Sequence, residues 1–256
     1  MAVITITGLQ VSLYLFHIVI VINYVCQGAS IYLKENCDLN DIPILGASAG
    51  SLAATMLKLG SDFRMSTEES IEMANNVKLY DRKSGLVGIW GPLVREWLGS
   101  QIPDTLDANS TSGLYVTITP VKSVKPKLIS NFQSKQDVID ACMTSIHIPL
   151  FLDGRPVTTY KGELAVDGSI WHFVTRKMDA FPLPSELECR KEDVFWIDWR
   201  QDAEFRERMR QRMRISPAFR VLQRQIVYEM MDAGYTFMKQ QHAKGMLSLG
   251  SSKTLI

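Results

Sequence analysis

An α/β fold with a largely parallel sheet is what this sequence predicts, and three observations carry that reading. Short apolar, strand-like runs alternate with helix-like segments along the first two thirds of the chain. A Gly46-Ala47-Ser48-Ala49-Gly50 pentapeptide lies between an apolar run, Ile42 to Leu45, and the helix-like Ser51 to Leu59. Further on, the strand-like Leu164-Ala165-Val166 runs directly into Asp167-Gly168, a turn signal.

The elements follow in order. Val3 to Thr7 alternates as a short strand, and Gly8 follows it. Leu9 to Cys26 is almost wholly apolar, broken only by Gln10, Ser12, His17 and Asn23. Eighteen such residues would span about 27 Å as a helix, enough for a thin bilayer, so the segment reads as a membrane span or as a buried helix or strand. Ile18 to Ile22 has β-character, and no positive charge precedes the run, which argues against a secretory signal. Tyr24 to Lys34 reads as a helix ending near Glu35-Asn36, and Asp38 to Asp41 leads into the Ile42–Leu45 strand. Ser66-Thr67-Glu68-Glu69 reads as the opening of another helix, with Ser66 or Thr67 as cap. Ser84 to Pro103 is rich in Gly, Pro and Trp and predicts loops with one short helix, Pro92 to Leu98; its aromatics suit core packing better than an acyl pocket. Leu114 to Pro120 and Lys127 to Phe132 read as neighbouring strands. A helix from Asp137 to Ser145 must stop before Pro149, and Asp153-Gly154 and Tyr160 to Glu163 mark turns. Gln201 to Arg214 is rich in arginine, and Val221 to Gln241 is an amphipathic helix that suits packing on the domain better than resting on lipid.

Composition narrows the functional classes. With 256 residues, 46% apolar and 21% charged, the chain is globular rather than disordered, and a net charge of +1 gives nucleic acid no foothold as the main partner. Cys26, Cys37, Cys142 and Cys189 lack zinc-site spacing and read as reduced thiols of an intracellular protein. There is no P-loop, G-x-G-x-x-G or H-E-x-x-H motif, so neither metal nor cofactor is expected.

The pentapeptide, by contrast, has a chemistry. A strand, a sharp turn and a helix lift a serine hydroxyl clear of the backbone, and the small neighbours of Ser48 leave room for a substrate carbonyl. A serine nucleophile needs a base, and the candidates are His147, His172 or a carboxylate. Asp167 and His172 stand too close together for the usual acid and histidine of a triad. Asp167 is better placed to act alone, since it ends a buried strand, Gly168 lets the chain turn beside it, and partial burial would raise its pKa.

The Gly46–Gly50 pentapeptide with its trailing Ser51 to Ala54, the segment Asp140 to Pro149, and Val166-Asp167-Gly168 together resemble the patatin-like phospholipase family, and the match looks nearest its animal triacylglycerol lipase branch. The similarity covers roughly residues 24 to 175, and Tyr32 to Glu35 is similar to the family's first helix. The resemblance implies a three-layer α/β/α fold with a mainly parallel central sheet. It implies Ser48 as nucleophile, Asp167 as general base, Gly46, Gly50 and Gly168 as elbow and turn glycines, and no metal. The chemistry implied is hydrolysis of lipid carboxylic esters at a membrane or lipid-droplet surface, in a cytoplasmic, intracellular protein. Two departures stand out. Ser169 follows Gly168 where a second small residue is frequent, and only Gly8, the one candidate oxyanion donor, stands where the family has a glycine-rich oxyanion loop. The apolar run after Gly8 is open to reading as a misread exon, a membrane segment or a degenerate loop. A patatin-like lipid-surface protein without an intact oxyanion loop is therefore the alternative function, and a soluble thioesterase or esterase a third. Residues 1–180 are expected to form the catalytic domain and 181–256 a basic helical extension packed on or beside it.

Overall fold

The computed structural model describes residues 3–8, 15–82, 88–106, 109–171, 182–185, 194–197, 207 and 224–246. Strands β1 (Val3–Gly8), β2 (Ile44–Ser48), β3 (Leu114–Pro120), β4 (Lys127–Ile129), β5 (Thr158–Tyr160), β6 (Glu163–Val166) and β7 (Val194–Ile197) form one sheet of order β5-β6-β3-β2-β1-β7, with β4 also paired to β3. β7, β1, β2 and β3 are mutually parallel. β4 and β6 both run antiparallel to β3, and β5 antiparallel to β6. The α/β class with a mainly parallel sheet is as the alternating pattern predicts.

All seven residues of β3 and all five of β2 are buried, as central strands covered on both faces require. Their side chains alternate between two clusters. Ile44, Leu114, Val116 and Ile118 join the large core, whereas Leu45, Tyr115 and Val194 form a smaller one with Leu128, Leu183 and Trp196. The large core takes in buried side chains of all six described helices: α1 (Leu15–Asn36), α2 (Ala49–Lys58), α3 (Phe63–Asn76), α4 (Trp90–Gln101), α5 (Lys135–Ser145) and α6 (Arg224–Ala243). Among the described residues, the helices therefore cover one face of the sheet.

The apolar N-terminal run is corrected by this arrangement. Residues 15–26 are the first half of α1, not a separate span or strand, and the helix continues to Asn36. Among the described residues no helix is long and apolar enough to cross a membrane. From Tyr24 onward the helix is packed in the protein: Tyr24, Val25, Cys26, Ala29 and Leu33 are buried in the core, and α6 lies along α1. The two helices approach so closely that a Cβ on Gly28 would stand 1.9 Å from the carbonyl oxygen of Met231, and one on Gly234 2.0 Å from that of Val25. Tyr32 adds an edge-on ring contact to Tyr235 and a hydrogen bond to Nδ1 of His242 at 2.9 Å. Met230, Met231, Phe237 and Met238 are buried, so the apolar face of α6 is packed on the protein. The arginine-rich 201–214 stretch lies outside the described residues apart from position 207.

Other boundaries shift for local reasons. The cap of α3 is Asp62, whose side chain accepts from the backbone N–H groups of Arg64 and Met65. Ser66 and Thr67 sit one turn inside the helix and are fully buried, with Thr67 Oγ1 donating back to the Phe63 carbonyl. α4 starts at Trp90 because Pro92 falls in its first turn, where its missing N–H costs nothing. Ser134 caps α5. The β5–β6 turn, Lys161-Gly162, has positive φ at both residues (46° and 81°), the backbone of a tight two-residue hairpin.

The α1–α6 contact leaves no room for a methyl group. Gly234→Ala should therefore destabilise the protein by about 1–3 kcal/mol in a denaturant titration, whereas Gly60→Ala, at a site open to solvent, should act only through its backbone.

Candidate active site

Ser48 ends β2 and precedes α2, and its backbone adopts φ 54°, ψ −134°. That left-handed conformation is costly for a residue with a side chain, and it is how a strand-to-helix turn presents a hydroxyl. The turn closes only because the strand and helix nearly touch. A Cβ on Gly46 would lie 2.5 Å from Ser51 Cα and 2.6 Å from the Gly50 carbonyl oxygen. Gly50 itself lies in the first turn of α2, and Ser51 Oγ donates to the Ser48 carbonyl at 2.7 Å.

Asp167 arrives from the other side of β3. Ala47 pairs with Thr117, and Val166 pairs with Thr119 in the opposite direction, so Ser48 and Asp167 each lie one step beyond a pair, both level with Ile118. The strand that carries Asp167 is thus not one of the parallel set: β6 is antiparallel to β3. The antiparallel pairing sends the carboxyl end of β6 back toward that of β2. Ser48 Oγ donates to Asp167 Oδ2 at 2.6 Å, and both residues are completely buried. The other carboxylate oxygen, Oδ1, accepts the Ser169 N–H at 2.7 Å. Gly168 is required by contact: a Cβ there would meet the Thr117 carbonyl oxygen at 2.0 Å.

Ser145, at the end of α5, ties the two halves together. Its Oγ accepts the Ser48 N–H at 2.9 Å, and its carbonyl accepts the Gly168 N–H at 2.9 Å. The neighbouring His147 carbonyl accepts the Asp167 N–H at 2.9 Å. Gly8, the last residue of β1, is the register partner of Ser48 on the opposite edge of β2. The residues that follow it, 9–14, lie outside the described residues.

An apolar cavity, with about 660 Å³ of empty space counted to its open mouth, adjoins this site. Ala49 and Ile146, next to Ser48 and Ser145 in the chain, form part of its wall, together with Leu52, Trp90, Val94 and Trp97. The tryptophans that the sequence assigns to core packing thus also line a cavity.

No family model matches the chain. It is 26% identical to human patatin-like phospholipase domain-containing protein 4 over 167 residues, covering 60% of this chain and 63% of that protein. It is 31% identical to rat patatin-like phospholipase domain-containing protein 2 over 155 residues, 56% of this chain and 30% of the relative. Mouse omega-hydroxyceramide transacylase is 26% identical over 129 residues, 48% of this chain and 20% of the relative. These similarities, at 26–31% identity, support the resemblance to the patatin-like family. It spans less than two thirds of the length of these relatives.

The electrostatics of the Ser48–Asp167 pair are set by burial. Exclusion from water raises the Asp167 pKa to about 7, against the opposing pull of the hydrogen bonds from Ser48 and the Ser169 N–H. His147 plays a different part from the one a triad would give it. Burial lowers its pKa, its Nε2 donates to the Arg155 carbonyl at 3.2 Å, and it touches Asp167 only through its backbone. His172 and Cys189 lie outside the described residues. His242 is held by Tyr32, and nothing is described of the side chain of His17. Cys26, Cys37 and Cys142 are unbridged, and burial pushes the Cys142 thiol up to about 11.

Two residues of the site are given no role by the motifs they sit in, Ser145 within Asp140–Pro149 and Ser169 after Asp167-Gly168. Both act through groups that a sequence does not display: a hydroxyl accepting from a distant strand, a carbonyl, and a backbone N–H.

The raised pKa has a cost in stability with a definite sign. The unfolded carboxyl titrates near 3.8 and the folded one near 7, so between these values the folded state binds the extra proton and stability falls as pH rises. Above pH 7 the whole penalty, roughly 4 kcal/mol, is present. Asp167→Asn should accordingly be more stable than the wild type at pH 8 by up to that amount, with the margin shrinking below pH 7 and vanishing toward pH 4, as followed by thermal denaturation.

Proposed function

We propose that the protein is a lipid acyl hydrolase in which Ser48 is the nucleophile and Asp167 the general base. The observation that carries this reading is the buried 2.6 Å hydrogen bond from Ser48 Oγ to a carboxylate that titrates near neutrality. Ser48 Oγ attacks the ester carbonyl as its proton passes to Asp167; the tetrahedral intermediate then collapses, Asp167 returns the proton to the departing alcohol, and an acyl-Ser48 ester remains. A water molecule attacks that ester as Asp167 takes its proton, and Asp167 then returns the proton to the departing Ser48 Oγ as the fatty acid is released.

The developing oxyanion needs donors. The first N–H groups of α2 have no partners inside the helix, and that of Ala49 follows the nucleophile directly. The end of β1 at Gly8, in register with Ser48, supports a second donor from the backbone there. The apolar cavity beside Ala49 and Ile146 suits the acyl chain, which supports a lipid ester over a polar one. Among the named relatives is a transacylase, which favours a second reading: the acyl group passes to a lipid alcohol instead of water. The same acyl-Ser48 ester serves both.

A fluorophosphonate probe should label the wild-type protein at Ser48 and leave Ser48→Ala unlabelled. Turnover of a packed lipid ester should fall roughly 10²–10⁴-fold in Asp167→Asn, and wild-type kcat/KM should rise with pH through about 7. Labelling that persists in Ser48→Ala overturns the nucleophile. Absence of both labelling and turnover favours the lipid-surface protein without catalysis, and turnover of acyl-CoA but not of packed lipid favours the thioesterase. Leu93→Trp, in the wall of the cavity, should reduce turnover of long-chain esters while sparing short ones.

A further inference from the structure

Three of the six large apolar side chains exposed among the described residues meet at one place. Val121 is 42% exposed, Val124 50% and Leu164 52%. Val121 and Val124 lie in the turn that follows β3, closed by the Val124 N–H donating to the Pro120 carbonyl at 2.9 Å. Leu164 of β6 lies beside them, its carbonyl accepting the Val121 N–H at 2.9 Å. All of residues 121–125 are exposed.

The turn has the wrong chemistry for a turn. Val124 has φ 55°, a left-handed conformation that a β-branched residue adopts only with strain and that glycine or asparagine would take without it. Leu150 repeats the pattern with φ 67° and 63% exposure. Both apolar points lie a few residues along the chain from Asp167 or from its backbone partner. Leu164 lies three residues before Asp167, and Leu150 lies three residues beyond His147, whose carbonyl holds the Asp167 N–H.

Charge identifies the partner. The 121–129 segment, Val-Lys-Ser-Val-Lys-Pro-Lys-Leu-Ile, carries three lysines and no acid. Lys127 is paired with Glu163 at 2.7 Å, whereas Lys122 and Lys125 make no ion pair among the described residues. Exposed aliphatic side chains interleaved with lysines that pair with no acid among the described residues match an anionic lipid surface, where the chains enter the acyl boundary and the lysines meet phosphate and carboxylate headgroups.

We propose that the Val121–Lys125 turn, with Leu164, is the surface by which the protein docks on anionic phospholipid. The inference rests on the acyl-hydrolase reading only for its purpose, since docking here brings lipid to within a few residues of Asp167. Flotation with phosphatidylcholine–phosphatidylserine vesicles reads docking without turnover. The full-length protein should float with them, less so with pure phosphatidylcholine, and less as salt rises. Lys122→Glu/Lys125→Glu should weaken binding to the anionic vesicles by at least about tenfold. Val124→Asn should weaken binding to both vesicles while its melting temperature stays equal or rises, and its turnover of a water-soluble ester should be unchanged. Ser48→Ala should float as the wild type does, so failure of the nucleophile assignment leaves this result untouched. A wild-type protein that does not bind, or variants that bind as it does, would overturn the proposal.

Discussion

A carboxylate with no exposed surface must be accommodated by the chain around it, and the accommodation of Asp167 governs the rest of this structure. Its two oxygens are taken by the Ser48 hydroxyl and the Ser169 N–H, while its own N–H is held by His147. These bonds do not offset the loss of water, so the proton affinity of the group rises into the neutral range. The same imbalance that costs stability suits the carboxylate to the proposed role of taking a proton from serine. A site of this kind requires a rigid frame, and the frame is specific: Gly46 and Gly168 admit neighbours too near for any Cβ, and Ser145 binds the nucleophile turn to the aspartate turn.

The sheet explains how residues 119 positions apart in sequence meet. β2 and β6 flank β3 on opposite edges and run in opposite directions, so their carboxyl ends converge on the level of Ile118. On the helical face, small residues at the start of α2 let that helix lie close to the strand that feeds it. The gap left between α2, α3, α4 and the end of α5 becomes an apolar cavity beside the nucleophile turn. Buried pair, converging strands and cavity all follow from one packing arrangement.

Much of this was legible in the sequence where local chemistry decides. β3 falls on Leu114–Pro120 as the alternation of apolar residues and threonines implies, and the Ser48 and Asp167 turns lie where their glycines put them. Misreadings arose where tertiary contact decides. Leu9 to Cys26 reads as a membrane span because an apolar helix packed in a core looks the same in sequence as one in lipid; where α1 is seen packed, from Tyr24 onward, its partner α6 is some 200 residues away. Ser66 and Thr67 read as caps because they are good ones, yet the helix begins at Asp62, and their hydroxyls are turned inward. Ser145 lies in the Asp140–Pro149 segment that carries the resemblance, yet its role is not legible there, since it depends on a hydrogen bond across 97 residues.

The proposed chemistry depends on the protonation of one side chain, Asp167. Difference infrared spectroscopy of the carboxyl stretch, comparing the wild type with Asp167→Asn across pH, isolates that group. The buried pair predicts a band present only in the wild type, with a titration midpoint near 7. A midpoint at the ordinary aspartate value of about 4 would contradict it.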